Sequence, residues 1–424
     1  HNCLVGSEMC IRDRPKGIPF LNQKKSPFRN LTKERKALDV IYNTQGKYGT
    51  WGGYLPATVL SLIALKNAAE SGEHSNLLSD QTKLKQMRRV ARKRMFSWVY
   101  SGGYYHFEGL VMDGHYWDSM LVAQALVVSG LNSSEIKPTV DYLVKNARSP
   151  QGGFVYGEDF SNLPDLDDTS EMLILLKESG LDRDYPDVVN KAIAWVLSMQ
   201  NKDHSWGAFY KDNDPPLLAK LLTKPFTSIG DLFDEGSFDI TGHVLEALGH
   251  YGFTVDNHQG VAKAAKSLLR GVQKNRPMWK ARWGVNYIYG THAAVTGLRQ
   301  VGVPANKHEI HRALYELAQR QNTDGGFGES VESYQSKKWM AKGPSTVSQT
   351  AWALMALIRG GFANTVNAHR AVDFLLRSYE SRGFWFDDSI VGTGHPKVIY
   401  MDYPSYADAW PLMALGMWKK ATHN

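Results

Sequence analysis

Apolar helical stretches in this chain close again and again on a glycine, in "AAESG", "LVVSG", "LKESG", "LGHYG", "LRQVG" and "LIRGG". The closing residues are Gly72, Gly130, Gly180, Gly252, Gly302 and Gly361, at intervals of 50 to 72 residues. A glycine suits the left-handed position that ends a helix, and its return at such intervals marks internal duplication. A second marker, an aromatic residue beside glycine, alternates with the first. It occurs at Trp51, Tyr104, Phe154, Trp206, Phe327 and Phe384, and the first four are 53, 50 and 52 residues apart. Each repeat therefore reads as helix, aromatic-glycine corner, helix, turn.

One helix of each pair is amphipathic, as in "KAIAWVLSMQ" from Lys191, and the other is nearly apolar all round, as in "AWALMALI" from Ala351. Buried helices inside and amphipathic helices outside predict an all-α fold, an α/α toroid of about six helix pairs. This overrides the two or three domains that 424 residues at 43% hydrophobic composition would otherwise suggest. A glutamine often precedes the corner aromatic, as at Gln45, Gln200 and Gln321. Its amide can cap helix-end groups while the ring packs over it, so the corners read as structural struts.

Composition removes several classes of site. The two cysteines, Cys3 and Cys10, lie in the first ten residues, so the body of the chain offers no disulfide and no thiolate metal ligand. No run of 18 apolar residues is present to span a bilayer. Residues 4–14 fit neither the period nor the composition of the rest and resemble a translated sequencing-adapter read. Residues 1–16 are therefore set aside as an artefactual or disordered leader. The net charge of +7 is concentrated in "KLKQMRRVARKRM", Lys83 to Met95, where seven of thirteen residues are basic. This segment is read as the solvated face of an outer helix, with anionic lipid headgroups as the sharper alternative; no nucleic-acid motif accompanies it.

The stretch "NLPDLDDTSEMLILL" places three aspartates in four positions before an apolar run. Asp168 with Glu171 three residues later reads as a capping box. A cap needs one aspartate, however, and carboxylates crowded at one helix start cannot all ionise. The cluster can hold a proton and make an acid.

The ordered set "PDLDDTS", "DITGHVLE", "RWGVNYIYGT", "GPSTVSQTAWALMALI" and "GTGHP", with the glutamine-to-tryptophan repeats, resembles squalene-hopene cyclases and related class II terpene cyclases over about residues 36 to 420. The resemblance implies a catalytic α/α barrel over 55–424. It also implies that 17–54 are a remnant and linker of the second, inserted barrel domain, and that the read is truncated at its N-terminus. It assigns Asp167 as proton donor, flanked by Asp165 and Asp168, and His243 as the donor's hydrogen-bond partner. Asp239, one turn before, is expected to orient or charge that histidine. Tyr289 matches a tyrosine that helps return the proton through water. Trp117, Tyr156, Phe209, Trp283, Tyr403 and Tyr406 match cavity aromatics whose faces would stabilise a migrating cation, and as core aromatics they have an equally simple structural reading.

Two phenylalanines of hopene-forming members are replaced by His395 and Ile399, which predicts a product other than hopene. The segment from Asp214 to Gly236 interrupts the repeat and matches the family's substrate-channel loop; alternatively it is a packed surface loop. The implied partners are a polyprene, squalene or shorter, and the cytoplasmic face of a membrane, held peripherally. A homodimer is the assembly to be considered, and neither cofactor nor metal is implied.

Competing readings remain open. "DDTSE" satisfies the acidic half of a class I terpene synthase magnesium motif, but no second motif follows. Prenyltransferase β subunits share the barrel but require a cysteine zinc ligand. "HEIH" at His308 misses zincin spacing and reads as an exposed face. A glycosidase-like barrel would need a second acid on the opposite wall. The non-enzymatic alternative is a toroidal binding module or inactive fragment.

Overall fold

The structure, a computed structural model, describes residues 31–46, 49–51, 55–71, 80–97, 99–102, 106–109, 115–158, 163–214, 233–272, 276–334, 342–396 and 399–423. Gly72, Tyr104 and most of the Asp214 to Gly236 segment lie outside them. The chain divides into two compact units, residues 1–107 and 108–424.

The first unit contains α1 (Leu31–Asn43), α2 (Leu55–Ser71), α3 (Gln81–Ser97) and the strands β1 (Val99–Gly102) and β2 (His106–Gly109), the last straddling the division. Its own small core joins Leu38, Tyr42, Trp51, Leu65, Ala68, Leu84, Met87 and Ala91. Leu65 and Ala68 of α2 lie in this core, and the division between the two units falls after α3. On the basic helix α3, Leu84, Met87 and Ala91 face inward and Lys83, Lys85, Arg89, Arg92 and Lys93 are exposed. This is the periodicity of an outer helix with one solvated face.

In the second unit the two helix types separate as their sequences require. The helices α4 (His115–Val128), α6 (Leu166–Glu178), α8 (Phe238–His250), α10 (Tyr287–Gln300), α12 (Val347–Arg359) and α14 (Pro404–His423) each pack on the next, and α14 returns to α4, closing a ring. The amphipathic helices α5 (Ser133–Asn146), α7 (Pro186–Ser198), α9 (Gln259–Gly271), α11 (His308–Gln319) and α13 (Val366–Arg382) lie against this ring from outside. Six inner and five outer helices are thus seen among the described residues. On α11, His308 and His311 are exposed. A short antiparallel pair, β3 (Gly392–His395) and β4 (Ile399–Met401), precedes α14, with Gly392 opposite Met401 and His395 opposite Ile399.

The corners carry a repeated set of hydrogen bonds. Each tryptophan indole donates to a carbonyl of the preceding outer helix: Trp206 to Val196 at 2.9 Å, Trp279 to Leu268 at 2.7 Å and Trp385 to Leu375 at 2.8 Å. The glutamines donate across to the next outer helix, Gln200 to Gly260 O at 3.0 Å and Gln321 to Asn367 O at 2.8 Å. The indoles thus tie each corner to the outer helix before it, and the glutamines tie it to the outer helix after it. In the last repeat the working ring is Trp385, whereas Phe384, the residue marked from sequence, is 55% exposed.

A further repeated contact links each corner to the inner helix that follows. The backbone N–H groups of Phe154, Trp206, Trp279 and Phe327 donate to the hydroxyls of Thr169, Thr241, Thr291 and Thr350, each in the first turns of an inner helix. Four of the six inner-helix starts are thereby tied to the corner before them. The closing glycines Gly130, Gly180, Gly252, Gly302 and Gly361 have positive φ, as a left-handed helix end requires.

Candidate active site

The aspartate cluster lies where the corner at Phe154 hands over to α6. Asp165 is extended and its N–H donates to Phe154 O at 3.0 Å. It is the N-cap of α6: its Oδ1 accepts the Asp168 N–H at 2.8 Å. This corrects the capping box read on Asp168 and Glu171. The helix begins at Leu166, three residues earlier than that reading, because the Thr169 hydroxyl anchors the corner and Asp165 takes the cap. Asp168 is buried in the first turn, its Oδ1 without a hydrogen-bond partner, and Glu171 lies one turn below Asp167 with its Oε2 buried and unbonded.

Burial raises the pKa of Asp168 well above the ordinary carboxylate range, with Asp165 adding to it, which favours its protonated form. Burial also pushes Asp165 up to about 6. Asp167 alone of the three is partly accessible, at 18%. Its Oδ1 meets Nδ1 of His243, one turn into α8. Burial opposes a charged ring there, but the adjoining Asp167, with Glu171 and Glu246 beyond it, raises His243 to about 10 and keeps it an imidazolium at neutral pH. The ring is packed edge-on against Tyr289 of α10, centroids 5.6 Å apart.

His243 can sit so close to α10 because two glycines let the helices touch. A Cβ at Gly242 would lie 2.4 Å from the Ala293 carbonyl oxygen, and one at Gly297 would lie 2.1 Å from that of Gly242.

Asp239 does something other than the sequence suggests. Its Oδ2 accepts the N–H groups of Arg282 and Trp283, both at 2.8 Å, and it makes no hydrogen bond to His243. It anchors the loop after the Trp279 corner. That loop is held from its other side by β3, through Thr393 N–H to Trp283 O at 2.9 Å and Val285 N–H to Val391 O at 2.8 Å. The carboxylates that act on His243 are instead Asp167, Glu171 and Glu246. From sequence Glu171 reads only as a capping-box partner, and Glu246 is marked by nothing but its spacing of three residues after His243.

The aromatic candidates fall into two groups. Tyr403 stacks on Tyr406 at 4.4 Å and 12°, and Tyr406 lies 6.5 Å from Trp117, 6.0 Å from Trp352 and 5.9 Å from Trp410. Trp352 meets Tyr289 at 4.7 Å, which ties this group to the histidine. Tyr156 is half-buried beside the core they belong to, its hydroxyl held well above its ordinary pKa first by desolvation and then by Tyr403. Phe209 and Trp283 form the second group, edge to face at 5.9 Å, with the Arg282 guanidinium over the indole at 4.7 Å. Trp352 and Trp410 were not singled out from sequence, since inside an apolar helix a tryptophan carries no mark of which way it faces. The side chains of His395 and Ile399 lie outside the described residues; their backbones pair across β3 and β4.

Residues 117–420 match the family described as squalene-hopene cyclase C-terminal domain. Squalene-tetrahymanol cyclase of Tetrahymena thermophila is 34% identical over 406 residues, 91% of this chain and 59% of that protein. A squalene-hopene cyclase of Alicyclobacillus acidocaldarius is 34% identical over 411 residues, 93% of this chain and 62% of that protein. The chain thus spans about three fifths of the length of these curated relatives. Among solved structures, the ent-copalyl diphosphate synthase from Streptomyces platensis superposes with a TM-score of 0.56 at 18% identity, covering 91% of this chain and 67% of that one. The type II terpene cyclase MstE from Scytonema gives 0.51 at 13% identity, covering 92% and 99%. At such identities the two structures speak to the fold alone, which is the α/α toroid.

Proposed function

This chain belongs to the squalene-hopene cyclase C-terminal domain family, and on that premise we propose that it is a class II terpene cyclase acting on squalene or a shorter polyprene. The observation that carries the reading is the hydrogen bond between Asp167, the accessible member of the aspartate cluster, and a buried His243 held as imidazolium. In the proposed reaction the Asp167 O–H bond breaks as a C–H bond forms at the terminal alkene carbon. The imidazolium stabilises the carboxylate left behind. The cation then migrates past aromatic faces, each contributing about 0.5 to 2 kcal/mol when desolvated. Tyr403, Tyr406, Trp117, Tyr156, Phe209 and Trp283 supply those faces, and Tyr289 helps return the proton to Asp167.

His395 and Ile399, where hopene-forming members have phenylalanines, deprive late cations of two such faces, so cyclisation stops early or gives a product other than hopene. Asp165 and Asp168 keep Asp167 in place: one caps the helix, and the other is protonated and adds no competing charge. Residues 17–54 are read as belonging to a second, inserted barrel domain and its linker. Gln45 and Trp51 repeat the corner pattern, donating to Gly49 O at 2.7 Å and Ile41 O at 2.7 Å. The exposed basic face of α3 supports peripheral contact with the cytoplasmic face of a membrane; no described helix is long and apolar enough to cross one.

The test is incubation of the purified protein with squalene and with shorter polyprenes, in chelator, with products identified by mass spectrometry. Cyclised product from the wild type and none from Asp167→Asn is the expected result. Clean conversion to hopene would overturn the product assignment. Ligand binding with no turnover of any polyprene would favour a toroidal binding module.

A further inference from the structure

Below the Asp167 and His243 pair, on the barrel axis, a cavity is lined by residues from all six inner helices, with His243, Glu171 and Glu246 at its upper end. Nδ1 of His243 is committed to Asp167, which leaves Nε2 as the remaining nitrogen of the ring. The charges around the ring do not balance without Glu171. Glu246, on the histidine's own helix, is paired with Arg359 of α12 at 3.3 Å. From α10 come Tyr289 and His292, and burial holds His292 well below the usual histidine range, hence neutral. Deeper on α6 lies Glu178, which burial raises to about 7. From α4 and α14 the lining residues Gln124 and Trp410 are uncharged.

While Asp167 is ionised it neutralises the imidazolium itself. Before the reaction, however, Asp167 carries the proton, and a buried cation without an anion expels its own proton. Glu171 lies one turn below Asp167 on the same helix face, 4% exposed, with Oε2 unbonded. We propose that Glu171 is the counter-ion of His243 in the state where Asp167 holds the proton, and so acts as a positioning residue that keeps the ring charged until transfer. When the proton leaves Asp167, the new carboxylate takes over the pairing and Glu171 can bind a proton in turn. Burial raises Glu171 to about 8 while the His243 charge opposes the rise; Glu246 and Asp167 add to it, and the Asp167 contribution is absent when Asp167 carries the proton. This rests on the cyclase reading above, and the test separates the two.

In Glu171→Gln the ring loses its proton at lower pH whenever Asp167 is protonated. The basic limb of the kcat profile for polyprene cyclisation is expected to move down by about one pH unit. The loss of kcat therefore grows through the limb to at most roughly tenfold above it, kcat well below the limb is nearly unchanged, and KM is unchanged, while Glu171→Asp retains most of the wild-type profile. A loss that is equal at every pH would mark Glu171 as merely structural and overturn the proposal. The second measurement needs no turnover. Asp167→Asn mimics the protonated acid, and the His243 pKa in that background, read by NMR of histidine-labelled protein, is expected to drop by about one unit on adding Glu171→Gln. An unchanged pKa overturns the proposal even if the enzyme cyclises. A lowered pKa in a protein that cyclises nothing upholds the pairing and overturns the cyclase reading instead. Should Gln at position 171 impair folding, Glu171→Asp lengthens the charge separation and must shift both readouts in the same direction by less.

Discussion

Asp239→Ala distinguishes the two roles open to that residue, a tuner of His243 or an anchor of the loop that carries Trp283. Asp239 is fully buried and its Oδ2 accepts two backbone N–H groups at 2.8 Å. Truncation leaves both donors without a partner. Each buried donor left unsatisfied costs about 1–3 kcal/mol, and the lost acceptor is a carboxylate, so the expected destabilisation is about 3–5 kcal/mol. At about 2 °C per kcal/mol for a domain of this size, melting falls by roughly 6–10 °C. Asp239→Asn keeps one oxygen facing the two donors, and its new NH₂ replaces Oδ1, which has no partner. It should therefore recover at least about half of the loss. The assay is thermal melting of the two variants beside wild type, with kcat pH profiles of whatever remains folded. Anchoring predicts lower stability and an unmoved basic limb. If Asp239→Ala melts within about 2 °C of wild type and instead shifts the limb, Asp239 acts on His243 and the loop-anchor reasoning fails.

Gly242→Ala would force a methyl group against the Ala293 carbonyl at 2.4 Å. Overpacking of this kind costs about 1–3 kcal/mol, and because the neighbour is backbone, α8 must tilt and carry His243 away from Asp167. The expected outcome is a lower melting temperature with a still larger loss of activity, and a fully active variant would contradict it. The pH dependence of stability has a definite sign. Asp165 at about 6, Glu178 at about 7 and Glu171 at about 8 are all raised, first by burial, above their unfolded values. The folded state therefore binds more protons, and their contribution, complete below about pH 4, is lost as pH rises through 6 to 8. His243, raised to about 10, adds a loss between about 6.5 and 10. Melting temperature should decline steadily from about pH 5 to 9 at constant ionic strength; a flat or rising curve in scanning fluorimetry would be inconsistent with these burials.

What the chain says by itself concerns features that repeat or are local. The helix types, the closing glycines and the glutamine and tryptophan corners follow from period and spacing, and these suffice for the toroid because each unit needs only its neighbours to bury its face. The three clustered aspartates and the order of motifs around them singled out Asp167 and His243. The threonines at 169, 241, 291 and 350 are equally periodic, yet a threonine inside an apolar helix has no distinguishing signature until the corner N–H that it serves is in view. Likewise the sequence offers Asp168 as the helix cap, where the structure has Asp165. Only the bridge from Phe154 sets where α6 begins, and thus which aspartate caps, which is buried with a proton and which faces out. Asp239 and Glu171 exchanged roles for the same reason. Each lies one helical turn from a catalytic candidate, but the helix face that looks down the barrel axis is decided by how six inner helices close into a ring, a property of contacts between residues as far apart in the chain as α4 and α14.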